Sequence, residues 1–485
     1  MNLRRRRLAL TVLVSLLLVG NIGSLSAQVA KRSKTRETPV LERNIRAELG
    51  FLASDAMQGR GSGTGYERIA AEYIGSQFRQ FGLEPGGDVD GSGSKSFVQR
   101  VGLESLKFTA PPILTVTSGN ESQKWQYGRD FLVSFLRVPR IAGELQVIDS
   151  DGTPSRGAVV VIKLQNASDQ EKRQELVRKA RSAQAAAVIM PETDANKRTR
   201  ETGDAKLPGL PGRMQGNPGT DSGFVAIALR KDVFYTLSTM PSGTRLEFSG
   251  PTEIAEAGAT WNAVGLLRGS DPQAAGQAIM LSAHLDHLGV NEQLTGDTIF
   301  NGADDDASGS VAVLELARAL ASARRPRRTV YFVCFGSEER GGYGARHFVD
   351  HSPVPLKQIV ADVTFEMIGR PDSKVAPNTL WLTGYDRSNL GTELARHGAL
   401  LVADPHPEQN FFQRSDNYTL ALRGVVAHTV SSFGLHTDYH RPSDEISKID
   451  FPFMTRSITS LIKPIRWLAN STFRPNWLPG RAPVR

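Results

Sequence analysis

The sequence predicts an α/β protein built on a doubly wound, mostly parallel sheet, with a β-rich module inserted in the chain. Three observations carry this prediction. From about Ala255 onward, short apolar runs alternate with amphipathic stretches, which is the pattern of strands joined by crossover helices. From about Ala110 to Pro251 the texture differs, with short β-like runs between Gly- and Pro-rich loops. No period of roughly 20–50 residues repeats, which excludes a solenoid.

Two helices are expected first. Leu41–Ser54 places Ile45, Leu49 and Leu52 at helical spacing, and Tyr66–Phe81 places Ala70, Tyr73, Ile74, Phe78 and Phe81 on one face. Gly82 and Pro85 stop the second helix. Gln58–Gly63 between them reads as a loop. Within the insert, strands are expected at Leu114–Thr117, Leu145–Ile148, Ala158–Lys163, Ala186–Met190 and Phe224–Leu229. One helix, Asp169–Ala183, lies among them, and Pro191–Gly223 reads as a long loop. After the insert come Ala278–Ala283, a helix at Ser308–Ala323, Thr329–Phe335, Ile359–Phe365, Thr379–Thr383, Val425–Val430 and a final helix at Phe453–Ala469. Arg324–Arg328 reads as a solvated turn.

The chain of 485 residues is long enough for several domains, and 22% of it is charged, as in soluble globular proteins. The net charge is +8, and half of that excess is Arg4–Arg7. So mild a balance gives no argument for nucleic acid as a partner. Arg4–Arg7 followed by the apolar Leu8–Gly20 and by Leu25-Ser26-Ala27 has the order of a secretory signal. The expected location is therefore outside the cytoplasm, periplasmic or secreted. Membrane association is expected only if that segment stays uncleaved. The single cysteine, Cys334, allows no internal disulfide and sits in an apolar run as a packing residue.

Acids and histidines gather where the apolar runs end, which in open α/β sheets is the ligand-binding rim. His284-Leu285-Asp286-His287 follows the first run, and Gly336-Ser337-Glu338-Glu339 follows Thr329–Phe335. Glu366 ends Ile359–Phe365, and Gly434–His440 follows Val425–Val430. Asn301–Gly309 contributes Asp304, Asp305 and Asp306, with Asp306 or Ser308 a candidate helix cap. One such acid is usually a cap or a solvated turn. Five together repel one another unless cations are present, and imidazole with carboxylate suits zinc or another divalent ion. His284 is a candidate ligand, with Asp286 orienting its ring. Asp305 is the best candidate to bridge two metals. Neighbouring side chains diverge, so Glu339 can ligate while Glu338 stays free as a general base.

AHLDHLG (Ala283–Gly289), NGADDDASG (Asn301–Gly309), FGSEERGGYGARHF (Phe335–Phe348), FEMIG (Phe365–Gly369) and DYHRPSDE (Asp438–Glu445) resemble the M28 zinc peptidases in text, order and spacing. The insert resembles a protease-associated domain. The resemblance implies two Zn²⁺ per chain, one on His284, Asp305 and Glu366, the other on Asp305, Glu339 and His440. It implies Glu338 as proton shuttle, Asp286 as support for His284, and Tyr439 as a donor to the oxyanion. Ser415-Asp416-Asn417 matches a Ser-Asp-His loop, with Asn417 in place of His. Glu366 stands where many members have Asp.

The implied layout is a signal at 1–27, a linker at 28–40, a catalytic domain from 41–110 and 253–470, the insert at 111–252 and a tail at 471–485. The implied function is an exported exopeptidase acting on peptides, foremost an aminopeptidase. A carboxypeptidase, a non-catalytic binding protein on this fold and a one-zinc cyclase remain alternatives, as do other divalent metals. Oligomeric state is open. Among the remaining histidines, His287, His347, His351, His397, His406, His428 and His436 are expected in packing or at the surface. Trp381, Phe411 and Phe412 could line a substrate pocket or the core.

Overall fold

The computed structural model describes residues 38–484 apart from 165, 167, 168, 211 and 216–222. The expected signal segment and most of the linker lie outside the described residues. The chain divides into two units, residues 38–99 with 262–484, and Arg100–Trp261. The sequence places the insert at 111–252. The division falls outside both limits because two long strands, Val98–Phe108 and Thr252–Leu267, carry the chain past the change in composition.

The first unit opens with helix α1 (Glu42–Leu52), which buries Ile45, Leu49 and Leu52. Helix α2 (Gly65–Gln80) is capped by Thr64, whose side chain accepts from the Glu67 N–H, and it buries Ala70, Ile74 and Phe78. It stops where Gly82 turns left-handed at φ 78°. The sheet is built from β1 (Thr252–Leu267), β2 (Ala278–His284), β3 (Thr329–Phe335), β4 (Ile359–Phe365), β5 (Leu380–Leu382), β6 (Leu401–Ala403) and β7 (Ala427–Ser431). Across the sheet the order is β6-β5-β7-β4-β2-β3-β1. β3, β2, β4 and β7 are mutually parallel, and β1 and β5 pair antiparallel to them. Every residue of β2, β3 and β4 is buried, which explains why they read as unbroken apolar runs.

Helix α3 (Gly309–Ser322) lies on one face against β2, β3 and β4, and is itself covered by α1, α2 and the last helix (Phe451–Asn470). On the other face, Ala345, Phe348 and Val349 of α4 (Tyr343–Asp350) pack on Met280, Tyr331 and Phe335. Leu420 and Ala421 of a further short helix join them. Helices thus cover both faces. The step from β2 to β3 runs one way across the sheet and the step to β4 runs back, so the switch point lies at β2.

The second unit holds a mixed sheet whose central strands, Arg140–Asp149, Val159–Lys163, Ala187–Pro191 and Val225–Leu229, are parallel. Helix Gln170–Ser182 packs on one face through Leu176 and Ala180. Helix Lys231–Ser238 packs on the other through Val233, Phe234 and Leu237. The insert is therefore less purely β than its sequence suggests. Part of Pro191–Gly223 also departs from the expected loop, since Asp194–Thr202 is a helix. It buries nothing, so it has no apolar period to read. Its signal is the reciprocal cap between Thr193 and Asn196.

The turn Arg324–Arg328 is not wholly solvated. Arg328 is 2% exposed and donates from Nη1 to the carbonyls of Leu468 and Phe473, both at 2.8 Å. Cys334 is buried inside β3, and burial pushes its thiol up to about 12, so it stays protonated. No helix among the described residues is long and apolar enough to cross a membrane.

Candidate functional site

The carboxyl ends of β2, β3 and β4 are adjacent, and each delivers a side chain to one cluster. His284 is the last residue of β2 and is buried. Its Nε2 lies 3.2 Å from Oδ1 of Asp305, and its Nδ1 lies 3.2 Å from the Asp286 carbonyl and 3.7 Å from Oδ1 of Asp286. Asp286 reaches further, accepting from the Glu338 N–H at 3.0 Å and from the Ser62 hydroxyl at 2.5 Å. It thus connects the turn after β2 to the turn after β3.

Asp305 sits in a single wide turn, Ala303–Ser308, ahead of α3. The turn is held from below. Asp444 accepts from the Asp304 and Asp305 N–H groups at 3.0–3.1 Å. Asp306 accepts from the N–H groups of His284, Gly309 and Met367, so it caps α3 while binding the ends of β2 and β4. Ser308 makes no such cap. The second oxygen of Asp305, Oδ2, lies 3.2 Å from Nε2 of His440. That same nitrogen is 3.2 Å from Oε2 of Glu339, while Oε1 of Glu339 lies 2.8 Å from Nδ1 of His287.

Two donor sets result. His284, Asp305 and Glu366 offer ligand atoms within 4.8 Å of one another, and so do His287, Asp305 and Glu339. His440 stands beside the second set. The expectation that His287 belongs to packing or surface therefore needs correction, because the turn His284–His287 folds back and brings both imidazoles to the cluster. His436 also comes close, with Nε2 3.0 Å from Oδ2 of Asp304, and holds the Asp305 turn rather than a ligand position. The others are structural. His347 stacks on His351, His397 on Trp467, His406 meets Asp372, and His428 lies between Ser388 and Thr383.

The charge pattern is that of a site selective for positive charge. Burial alone would lower the pKa of His284, but hydrogen bonds to Asp286 and Asp305 hold it well above the ordinary value. His440 behaves alike, raised to about 10 by Asp305 and Glu339 against the effect of burial. Burial would raise Asp305, and its bonds to His284 and His440 overcome this and keep it well below the carboxylate range. Glu338 is different. Desolvation pushes it well above the usual range, His284 opposes this, and Glu366, Asp416 and Glu339 add to the rise. Glu366 is likewise pushed up to about 7 by desolvation. Its Oε2 and the Nε2 of His287 are buried with no hydrogen-bond partner. Unpaired imidazole and carboxylate atoms converging on Asp305 fit divalent cations, and zinc among them.

Beside the cluster lies a pocket open to solvent, lined by Glu366, Trp381, Phe411, Arg414, Phe433 and Tyr439. Trp381 stacks on Phe411 at 5.4 Å and donates from Nε1 to Asp372 at 3.1 Å, so it is both buried and pocket-lining. Phe412 instead packs into the core against His428 and Trp477. The Tyr439 ring stacks on His440 at 3.9 Å, and its hydroxyl lies 3.5 Å from Nη2 of Arg414. Burial pushes that phenol up, with Asp305, Glu366 and Glu339 adding, so it remains a proton donor. Asn417 is tied down by Phe412, Ala427 and Thr429, whereas both oxygens of neighbouring Asp416 are buried without a partner.

Comparison with known proteins gives one family. Residues 262–462 match peptidase family M28. An aminopeptidase of Pseudomonas aeruginosa is 36% identical over 116 residues, covering 23% of this chain and 19% of that protein. Aminopeptidase YwaD of Bacillus subtilis is 29% identical over 155 residues, covering 30% and 33%. The matched stretches thus span between a fifth and a third of these relatives. Among solved structures, an aminopeptidase from Aneurinibacillus sp. strain AM-1 superposes with a TM-score of 0.49 at 19% identity, covering 92% of this chain and 96% of that one.

Proposed function

We propose that the protein, whose residues 262–462 belong to peptidase family M28, is an exported metal-dependent exopeptidase, foremost an aminopeptidase, with the Arg100–Trp261 unit as a protease-associated domain. The observation that carries the reading is the position of Asp305. One of its carboxylate oxygens faces His284 and the other faces His440, each at 3.2 Å. A carboxylate shared in this way is the donor a two-metal centre needs between its ions. His284, Asp305 and Glu366 would hold one zinc ion, and Asp305, Glu339 and His440 the other, with His287 beside Glu339. When bound, such ions supply Lewis acidity toward a carbonyl and make a water acidic near neutral pH.

The chain's own groups supply the rest. Glu338, raised in pKa yet next to the cluster, takes a proton at its carboxylate from the attacking water and returns it to the leaving nitrogen. Asp286 fixes that turn by accepting the Glu338 N–H. The Tyr439 hydroxyl donates to the oxyanion. The apolar pocket binds the terminal side chain, and the crowded carboxylates of Glu338, Glu366 and Asp416 favour a substrate ammonium. The aminopeptidase names of the relatives support the same terminus. Export is supported by the order of Arg4–Arg7 and Leu8–Gly20, and periplasmic or secreted placement follows from it.

One observation favours a second reading. Arg414 stands exposed at the pocket mouth, stacked over Phe411 at 4.9 Å, where it could receive a terminal carboxylate, as a carboxypeptidase requires. The test is Glu338→Ala with metal analysis and paired substrates blocked at either terminus. The expected result is a folded protein that keeps two zinc ions and loses turnover by roughly two to four orders of magnitude. Near-normal hydrolysis by the variant would overturn the mechanism. Cleavage confined to substrates with a free carboxylate would transfer the assignment to a carboxypeptidase.

A further inference from the structure

The loop between α1 and α2 carries no chemistry in its sequence, yet it is tightly constrained beside the site. Gln58, Gly59 and Arg60 are all left-handed, at φ 44°, 64° and 46°. Two of the three are not glycine, and such residues persist only where surrounding structure over-determines them. At Gly59 a Cβ would lie 2.4 Å from the Phe300 carbonyl, so the loop is pressed against the segment that leads to Asp305.

The reversal turns the Arg60 side chain inward, where it is 1% exposed. Its guanidinium donates to four carbonyls, at Leu285 (2.9 Å), Leu52 (2.6 Å), Asn301 (2.7 Å) and Gly302 (3.0 Å). Leu285 lies between His284 and Asp286. Asn301 and Gly302 begin the turn that presents Asp305. No carboxylate among the described residues bonds to Arg60; burial lowers the pKa of its guanidinium, and Asp286, Asp306, Asp305 and Asp444 oppose that fall. The same loop continues with Ser62, bonded to Asp286, and leads into the first turn of α2, where Oε1 of Glu67 accepts from the Ser337 N–H at 2.8 Å just ahead of Glu338.

We propose that Arg60 is a positioning residue for the metal centre: its fork fixes the spacing between the end of β2 and the Asp305 turn. The proposal rests on the metal-centre reading above. Lysine cannot replace this function, because an ammonium with three donors on a flexible stem cannot serve four carbonyls as the rigid fork does.

The test uses the full chain loaded with cobalt(II), whose absorption bands report ligand geometry, together with competition against a chromogenic chelator and thermal unfolding of the metal-free protein. Arg60→Met and Arg60→Lys are compared with Arg328→Met. Arg328 is equally buried and also binds carbonyls, but it lies at the opposite end of β3. Arg60→Met is expected to weaken metal binding roughly ten- to a hundredfold and to alter the cobalt bands. Arg60→Lys should recover only part of the affinity and keep the altered bands. Arg328→Met should lower the unfolding temperature and leave bands and affinity as in wild type.

Wild-type bands and affinity in folded Arg60→Met overturn the proposal, as does an equal loss of affinity in Arg328→Met. If Arg60→Met does not fold, Arg60→Lys decides, since it keeps the charge and removes the fork. Altered bands are then expected, and unchanged bands overturn the proposal. Wild-type protein that takes up no cobalt overturns the metal-centre reading and this proposal together, whereas wild-type uptake with unaffected variants overturns this proposal alone.

Discussion

Nδ1 of His287 lies 2.8 Å from Oε1 of Glu339, leaving the other oxygen of Glu339 directed at His440. His287 therefore either orients this carboxylate or joins it on an ion. Under the proposed function, His287→Ala should in both cases weaken the ion on the Glu339 side about ten- to a hundredfold and spare the one on the Glu366 side. Elemental analysis after dialysis should give close to one zinc per chain instead of two. Two tightly held ions in the variant would contradict this.

The pocket should govern selectivity through Phe411, which forms its wall with Trp381. Phe411→Ala should lower kcat/KM for an aromatic terminal residue roughly ten- to a hundredfold, with a far smaller change for a terminal alanine. Steady-state kinetics on the two substrates would check it. Equal losses on both would place the terminal side chain elsewhere.

Asp362 on β4 offers a pH test away from the proposed ligands. Its carboxyl is buried and accepts from Ser282 and Thr364 at 2.8 and 2.9 Å, and burial raises its pKa to about 7. The unfolded value is near 3.9. Below the unfolded value both states are protonated and nothing is lost. As pH rises toward 7 the unfolded chain ionises first, so stability falls, by at most about 4 kcal/mol once pH exceeds the folded value. Asp362→Asn should thus stabilise the protein near pH 8 and not near pH 4. Denaturant unfolding at both pH values would show it, and equal effects at the two would refute it.

Gly302 precedes the Asp305 turn at φ 57°, and a Cβ there would lie 2.2 Å from the Asp305 carbonyl and 2.6 Å from the His287 ring. Gly302→Ala should destabilise the fold by at least about 1–3 kcal/mol. It should also displace both residues, so calorimetry and metal titration should fall together. Loss of stability with normal metal uptake would show that the turn adapts without moving its ligands.

What was legible in the sequence follows from physics that is local in the chain. β2, β3 and β4 are buried on both faces, so they read as apolar runs, and the residues just past their ends declared the rim. His284, Asp305, Glu339 and Glu366 are polar groups placed where a packed strand stops, and the structure brings them together with His440. His287 was obscured because its approach depends on a tight return that spacing does not encode. Arg60 was obscured more thoroughly. An arginine among glycines looks like a solvated loop until three left-handed residues turn it inward. The helix Asp194–Thr202 escaped because it touches no core, so its only trace is the Thr193 and Asn196 cap.

Arg60 and Leu285 are bonded across 225 positions, and Glu67 and Ser337 across 270. Contacts so remote in sequence close late, since loop entropy must be overcome before they contribute. The Asp305 turn waits further still, for Asp444. The Arg100–Trp261 unit, which lies between these partners, can condense on its own contacts meanwhile. Under the proposed function, the residues that would hold the ions are therefore made before the contacts that fix their spacing, and the site is completed only when Asp444 has met the Asp305 turn.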